Sequence, residues 1–241
     1  DVELLNELNI PFTTLNYKEL YFQRSLESFA VEDSSFDDDS YWNQYHDYTD
    51  LTEYLQEIAS EYPDLCILSS IGQSTQNREL WLLKISDNPN IHEEGEPQFK
   101  YIGNMHGDEV VGRELLLRYI YYLLSGYTAG DETIVDLIDN TEIYILPTMN
   151  PDGYELHQRA NANNVDLNRD FPDRLQGVSH IPEKETQAVL GWSLSNHFTL
   201  SANLHGGSLV VNYPYDDNPT HESFTFTPSP DEDLFVDISL A

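Results

Sequence analysis

Apolar positions from residue 50 onward alternate between two rhythms. Leu51, Tyr54, Leu55, Ile58 and Tyr62 recur at helical spacing and form one stripe, closed by Pro63. Asp50, with Glu53 three residues on, predicts the N-cap of that helix. Two strand-like runs follow, Leu65 to Ile71 and Glu79 to Ile85, joined by the polar turn Gly72 to Arg78. Beyond a Pro/Gly/Glu loop from Asp87 to Pro97, the apolar and aromatic stretch Phe99 to Met105 suits a buried strand. Helical spacing returns from Val110, with Leu115, Leu116, Ile120, Leu123 and Leu124. A short helix over Thr133 to Asp139 and a strand over Glu142 to Pro147 come next. A long polar loop then runs from Asn150 to Ile181, before a helix from Pro182 to Asn196 and a strand from Phe198 to Leu204. A last helix is expected over Asp231 to Leu240. Strands alternating with helices predict an α/β sheet layered by helices.

The first 45 residues break this pattern. They are acidic and irregular, with Asp33 to Asp39 nearly all acid and serine, and predict an extended or partly disordered leader (1–45) ahead of a single domain (46–241). The whole chain of 241 residues carries 43 acids against 11 bases, a formal charge of -32. Nucleic acid is thereby excluded as a partner, because phosphate binding needs a basic face. Such a field attracts cationic substrates instead. No run approaches the ~20 apolar residues of a membrane span, and the opening Asp-Val-Glu-Leu-Leu has neither the basic nor the apolar region of a signal peptide. The single cysteine, Cys66, lies in an apolar run and reads as a packing residue with no internal disulfide partner. The sequence holds no Asn-x-Ser/Thr acceptor with x other than Pro.

The candidate chemistry sits on one turn. His106 and Glu109 fall where the strand Phe99–Met105 ends and the next helix begins, at the carboxyl edge where open α/β sheets build their sites. An imidazole and a carboxylate so spaced can meet one cation, with Gly107 letting the backbone bend. Zinc takes such N and O ligands, and a catalytic zinc needs a third one plus an open position. His205 is the natural third: it also ends a strand-like run, and Gly206-Gly207 after it free the backbone for close approach. His46, His92, His157, His180, His197 and His221 stand in polar or loop contexts and read as surface or structural residues.

Four ordered strings then carry a resemblance: Gly103-Asn-Met-His-Gly-Asp-Glu109, Leu146-Pro-Thr-Met-Asn-Pro-Asp-Gly-Tyr154, Asn163-Asn-Val-Asp-Leu-Asn-Arg-Asp-Phe-Pro-Asp173 and Asn203-Leu-His-Gly-Gly-Ser-Leu-Val210. From about Tyr48 to Phe235 the chain resembles the zinc metallocarboxypeptidases, in particular the regulatory branch that contains carboxypeptidases E, N, M and D. The resemblance implies a mixed central β-sheet with helices on both faces, with one zinc ion on His106, Glu109 and His205. It implies that Asn168 and Arg169 clamp the substrate's terminal carboxylate, a task for a planar bidentate donor. Arg159 then polarises the scissile carbonyl and stabilises the oxyanion, and Asp216 receives a basic side chain at the substrate's C-terminus. Arg113 matches none of these roles and reads as structural.

The implied activity is zinc-dependent release of C-terminal Lys or Arg from peptides and proteins, in the secretory pathway or outside the cell. The family's general base is a glutamate in a late strand, accompanied by a tyrosine, and both lie C-terminal to every matched string. Glu222 and Glu232 follow His205, but neither has the apolar strand context of that base. The expectation is therefore a catalytic domain incomplete at its C-terminal end. The alternative is a catalytically silent module that binds zinc and peptide ends; a zinc amidohydrolase acting on small acylated amino acids is more distant, and Asp216 argues against it.

Overall fold

The computed structural model of the chain describes residues 39–177, 179–215, 218, 220 and 225–240. The chain divides into two units, Asp1–Tyr45 and His46–Ala241. Within the first, a single helical turn, α1 (Asp39–Trp42), sets the Tyr41 and Trp42 rings edge to face.

The second unit begins with α2 (Tyr48–Glu61), which buries Leu51, Tyr54, Leu55 and Ile58, the expected stripe. Its start differs from the expectation. Asp47, not Asp50, is the N-cap: the Asp47 side chain accepts from the Asp50 N–H at 2.9 Å and Asp50 returns the bond to the Asp47 N–H at 3.3 Å. Asp50 is thus the third-position partner of a capping box that begins three residues earlier.

Five strands follow: β1 (Cys66–Gln73), β2 (Glu79–Ile85), β3 (Gln98–Gly103), β4 (Glu142–Leu146) and β5 (Phe198–Leu204). They form one mixed sheet in the order β1-β2-β4-β3-β5, antiparallel from β1 to β4 and parallel across β4, β3 and β5. Helix α3 (Val111–Ala129) and the short α4 (Glu132–Asp139) connect β3 to β4, and α6 (Lys184–Leu194) leads into β5.

Strand alternation places the helices on both faces. On one face Leu82, Tyr144 and Ile102 pack with Val189 and Trp192 of α6. On the other, Tyr101 meets Tyr119 of α3 edge to face at 5.4 Å, and the buried Leu83, Ile85, Ile143 and Ile145 share that side with it. Layers on both sides explain why the central strands read as continuous apolar runs rather than alternating ones. Cys66 is buried, and burial pushes its thiol up to about 12, consistent with packing.

The loop expected from Asn150 to Ile181 contains two short elements: α5 (Pro151–Glu155) and a 3-10 turn (Leu167–Arg169). Neither has enough apolar residues to produce a period. Their ends are fixed instead by side chains, Asn150 capping α5 and Asp166 capping the 3-10 turn. α5 is further clamped by buried Asp152, which accepts from Ser74 Oγ, the Gln76 N–H and Arg78 Nη1, each at 2.7 Å. These bonds lock the β1–β2 turn onto α5. Among the described residues no helix is long and apolar enough to cross a membrane.

Candidate metal centre

The parallel strands bring three distant residues together. β3 and β5 are neighbours, with Gly103 opposite Leu204, so the turns that follow them emerge side by side. His106 and Glu109 lie on the turn after β3, and His205 directly follows β5. His106 Nδ1 stands 2.9 Å from Glu109 Oε1, His205 Nδ1 stands 2.8 Å from Glu109 Oε2, and the two Nδ1 atoms are 3.2 Å apart. His106 is buried, Glu109 partly exposed and His205 exposed, so the trio is reachable from solvent.

The local fold explains why the turn holds this shape. Asn104 is fully buried and adopts the left-handed φ of 53°, from which its amide donates to the carbonyls of His106 at 2.9 Å, Gly107 at 3.2 Å and Glu109 at 3.3 Å. Thr148 holds the other side of that amide at 2.7 Å. The bend expected of Gly107 is therefore supplied by Asn104. Gly107 serves close approach: a Cβ there would lie 2.1 Å from the Gly153 carbonyl carbon and 2.4 Å from the Tyr154 nitrogen. Gly207 does take a left-handed φ of 102°, and a Cβ at Gly206 would come within 3.3 Å of Glu109 Cγ.

Asp166 was not singled out by sequence, yet it organises the centre. Its Oδ1 lies 3.2 Å from His106 Nε2, and its Oδ2 accepts from Arg159 Nε at 3.0 Å. Burial works to raise its carboxyl, but Arg159 and the Asn168 N–H outweigh it and hold it below the usual range. An ionised Asp166 draws the His106 proton to Nε2 and leaves a lone pair on Nδ1. The string Asp166-Leu-Asn-Arg169 was visible in the sequence, but a carboxylate in a polar loop does not reveal which imidazole it faces.

The donor set fits a zinc ion. Around zinc with bonds of about 2.0–2.1 Å, neighbouring tetrahedral ligands lie roughly 3.3 Å apart, close to the spacings seen here. Two imidazole nitrogens and a carboxylate converge, and with the His106 proton on Nε2 at least one close contact sets lone pair against lone pair. A cation relieves that. Burial works to raise Glu109 as well, but the Gly206 N–H and His205 outweigh it and keep it ionised below the ordinary carboxylate range.

Arg159 reaches this trio directly. Its Nη1 is 3.1 Å from His106 Nδ1 and 3.6 Å from Glu109 Oε1, on a half-exposed side chain. Asn168 and Arg169 are both exposed on the 3-10 turn, and Arg169 spends Nη1 on the Asn168 carbonyl at 2.9 Å. Asp166 joins the two groups, since it holds both the Arg159 guanidinium and the Asn168 N–H.

Asp216, Glu222 and His221 lie outside the described residues. Glu232 opens helix α7 (Glu232–Leu240) and accepts from Tyr213 Oη at 3.1 Å and the Ser229 N–H at 3.3 Å. Arg113 is buried with its guanidinium 3.9 Å from the Tyr154 ring centre, and donates to the carbonyls of His46 and Asp47. It is built into the scaffold. His46, His92 and His180 pair with Glu114, Glu142 and Asp170, away from the trio.

A family model described as zinc carboxypeptidase matches residues 51–241. The chain belongs to the zinc carboxypeptidase family. Carboxypeptidase D of Mus musculus is 50% identical over 206 residues, which cover 82% of this chain and 15% of that protein. Carboxypeptidase M of Mus musculus is 44% identical over 203 residues, 80% of this chain and 46% of the relative. The carboxypeptidase N catalytic chain of Homo sapiens is 42% identical over 228 residues, 80% of this chain and 50% of the relative. Within this zinc carboxypeptidase family the regulatory branch expected from the four strings is therefore the right one, and the chain spans half or less of these relatives' lengths.

Among solved structures, thrombin-activatable fibrinolysis inhibitor superposes with a TM-score of 0.75 at 20% identity, over 98% of this chain and 64% of that one. Carboxypeptidase A from Helicoverpa armigera gives 0.72 at 22% identity, over 99% and 63%. At these identities the likeness establishes the fold, the metallocarboxypeptidase α/β sheet.

Proposed function

We propose that this chain is the zinc-binding part of an exopeptidase that releases C-terminal Lys or Arg from peptides and proteins. The observation that carries the proposal is the convergence of His106 Nδ1, Glu109 and His205 Nδ1 within 3.2 Å of one another, with the Arg159 guanidinium 3.1 Å from His106. His106, Glu109 and His205 hold one zinc ion, which when bound lowers the pKa of water and polarises a carbonyl.

The chain's own groups do the rest. Asp166 fixes the His106 tautomer and holds Arg159 by its Nε, and with Nη1 beside the trio the Nη2 side of the guanidinium faces the substrate carbonyl and its developing negative charge. Asn168 and the free side of the Arg169 fork take the terminal carboxylate, since a planar donor pair matches that group. Asp216 receives the basic side chain, and the charge of -32 raises the local concentration of cationic peptide ends. A peptide-processing role in the secretory pathway or outside the cell accords with similarity to the carboxypeptidases D, M and N.

A second reading, a module that binds zinc and peptide ends without turnover, has one observation behind it. Asp166, the described carboxylate against the trio, is already committed to Arg159, and Glu232 is held by Tyr213 and Ser229. The deciding experiment is hydrolysis of a dansylated dipeptide ending in Arg, with and without a zinc chelator. Chelator-sensitive release of Arg, with Ala- and Glu-ending analogues left intact, is the expected result. Stoichiometric zinc with no release, either by this chain or by a chain extended past Ala241, would overturn the first reading in favour of the second.

A further inference from the structure

We infer that Asn150 is a positioning residue for Arg159: a buried amide that pins the arginine's backbone to the metal-ligand turn and so sets where the guanidinium meets the trio. The inference rests on the reading of Arg159 as the group that polarises the substrate carbonyl. Asn150 is fully buried, and three hydrogen bonds fix which way its amide points. Nδ2 donates to the carbonyl of Met105, the residue before His106, at 3.3 Å, and to the carbonyl of Arg159 at 3.3 Å; Oδ1 accepts from the Gly153 N–H at 2.9 Å.

The Arg159 carbonyl takes a further bond, 3.2 Å, from the N–H of Gly107, the residue after His106. Asn150 Nδ2 and the Gly107 N–H therefore meet on one oxygen, while the residues tied in, Met105 and Gly107, bracket His106 in sequence. Little slack exists around them. A Cβ on Gly153 would lie 2.5 Å from Asn150 Nδ2 and 2.4 Å from the Ala160 carbonyl, and the Gly107 and Gly153 backbones are in direct contact. The Asn150 backbone N–H is itself tied to the Asn104 carbonyl at 3.1 Å, which links this amide to the residue that shapes the ligand turn.

Arg159, by contrast, belongs to a loop and projects a long, half-exposed side chain. Such a side chain holds its head only as well as its backbone is held, and a displacement of about 1 Å at a charge-stabilising group costs up to roughly a hundredfold in rate. Both Nδ2 bonds are at the long end of the useful range, so the amide contributes geometry more than stability.

Asn150→Ser separates the roles, because a serine hydroxyl retains the cap on Gly153 yet is too short to span both carbonyls. In the full chain, hydrogen exchange at the Gly107 amide is expected to accelerate about tenfold more than at the core amides of Ile145 and Leu146. Equal acceleration at all three would overturn the inference. With the Arg-ending dipeptide, kcat is expected to fall roughly 10- to 100-fold, with KM and the zinc dissociation constant unchanged within about threefold. In an Arg159→Ala background the same substitution should cost less than about twofold, since it acts through the arginine. A loss of equal size in both backgrounds, or one carried by zinc affinity, would also overturn it. If neither the wild-type chain nor one extended past Ala241 releases Arg, the functional reading fails by itself, and exchange at Gly107 still decides the role of Asn150.

Discussion

Two histidine–carboxylate clusters sit at opposite ends of the same parallel strands, and they are built on opposite principles. At the amino ends of β3 and β4, Glu142 is fully buried and accepts from Gln98 Nε2 at 2.7 Å, Lys84 Nζ at 2.8 Å, Tyr144 Oη at 3.1 Å and the Glu93 N–H at 3.2 Å, with His92 Nδ1 at 3.1 Å. Burial alone would push this carboxyl up, but the donors around it pull it down to about 2. Its lone pairs are used, and nothing remains for a ligand. At the carboxyl ends, Glu109 faces two Nδ1 atoms that also face each other at 3.2 Å, with solvent on the His205 side. Saturation marks the first cluster as structure. Convergent lone pairs left short of donors mark the second as a place for a cation.

The contrast can be broken most severely at the open end. His106→Ala removes a buried ligand and should abolish stoichiometric zinc while lowering Arg release by roughly a thousandfold or more, measured by metal analysis beside the dansyl-peptide assay. At the saturated end, Glu142→Gln leaves Lys84 buried without its counter-charge and should cost about 3 kcal/mol of stability at neutral pH, with zinc content unchanged.

The pH dependence of that second loss has a definite sign. A carboxyl held below its unfolded value stabilises fully above about 4.5, and the contribution drains away as pH falls toward about 2. Urea melts of wild type and Glu142→Gln should therefore differ most at pH 7 and converge only as pH falls to ~2 and below. A constant gap would show that the carboxylate's charge is not what stabilises.

Asp166→Asn tests the link between the ligand set and Arg159. It should weaken zinc binding about 10- to 100-fold in chelator competition, because the His106 tautomer is no longer imposed. Smallest of all, Tyr144→Phe removes one of several donors to Glu142 and should cost about 1 kcal/mol in the same melts, with no change in zinc.

Much of this architecture was readable along the chain. The stripe Leu51, Tyr54, Leu55 and Ile58 became the buried face of α2, and the runs from β1 to β5 appeared within a few residues of their expected limits. The convergence of His106, Glu109 and His205 could be anticipated because each candidate donor follows a strand, and strand ends carry a hydrophobic signature. What escaped detection lacked such a signature. Asp47 capped α2 from outside the apolar stripe, α5 formed on a proline and a capping asparagine, and Asp166 looked like any acid in a polar loop.

The sequence by itself determined the order of strands and helices, the chemical identity of the candidate donors and the acidic field, because periodicity and residue type are local properties. Only the tertiary structure decided that β5 lies beside β3, so that His205 meets His106 across 99 residues. It alone also decided that Asp166, Asn104 and Asn150 turn inward on the same turn. Those outcomes depend on which backbones pack in contact, Gly107 against Gly153 above all, and such contacts are set by the closed fold rather than by any stretch of the chain.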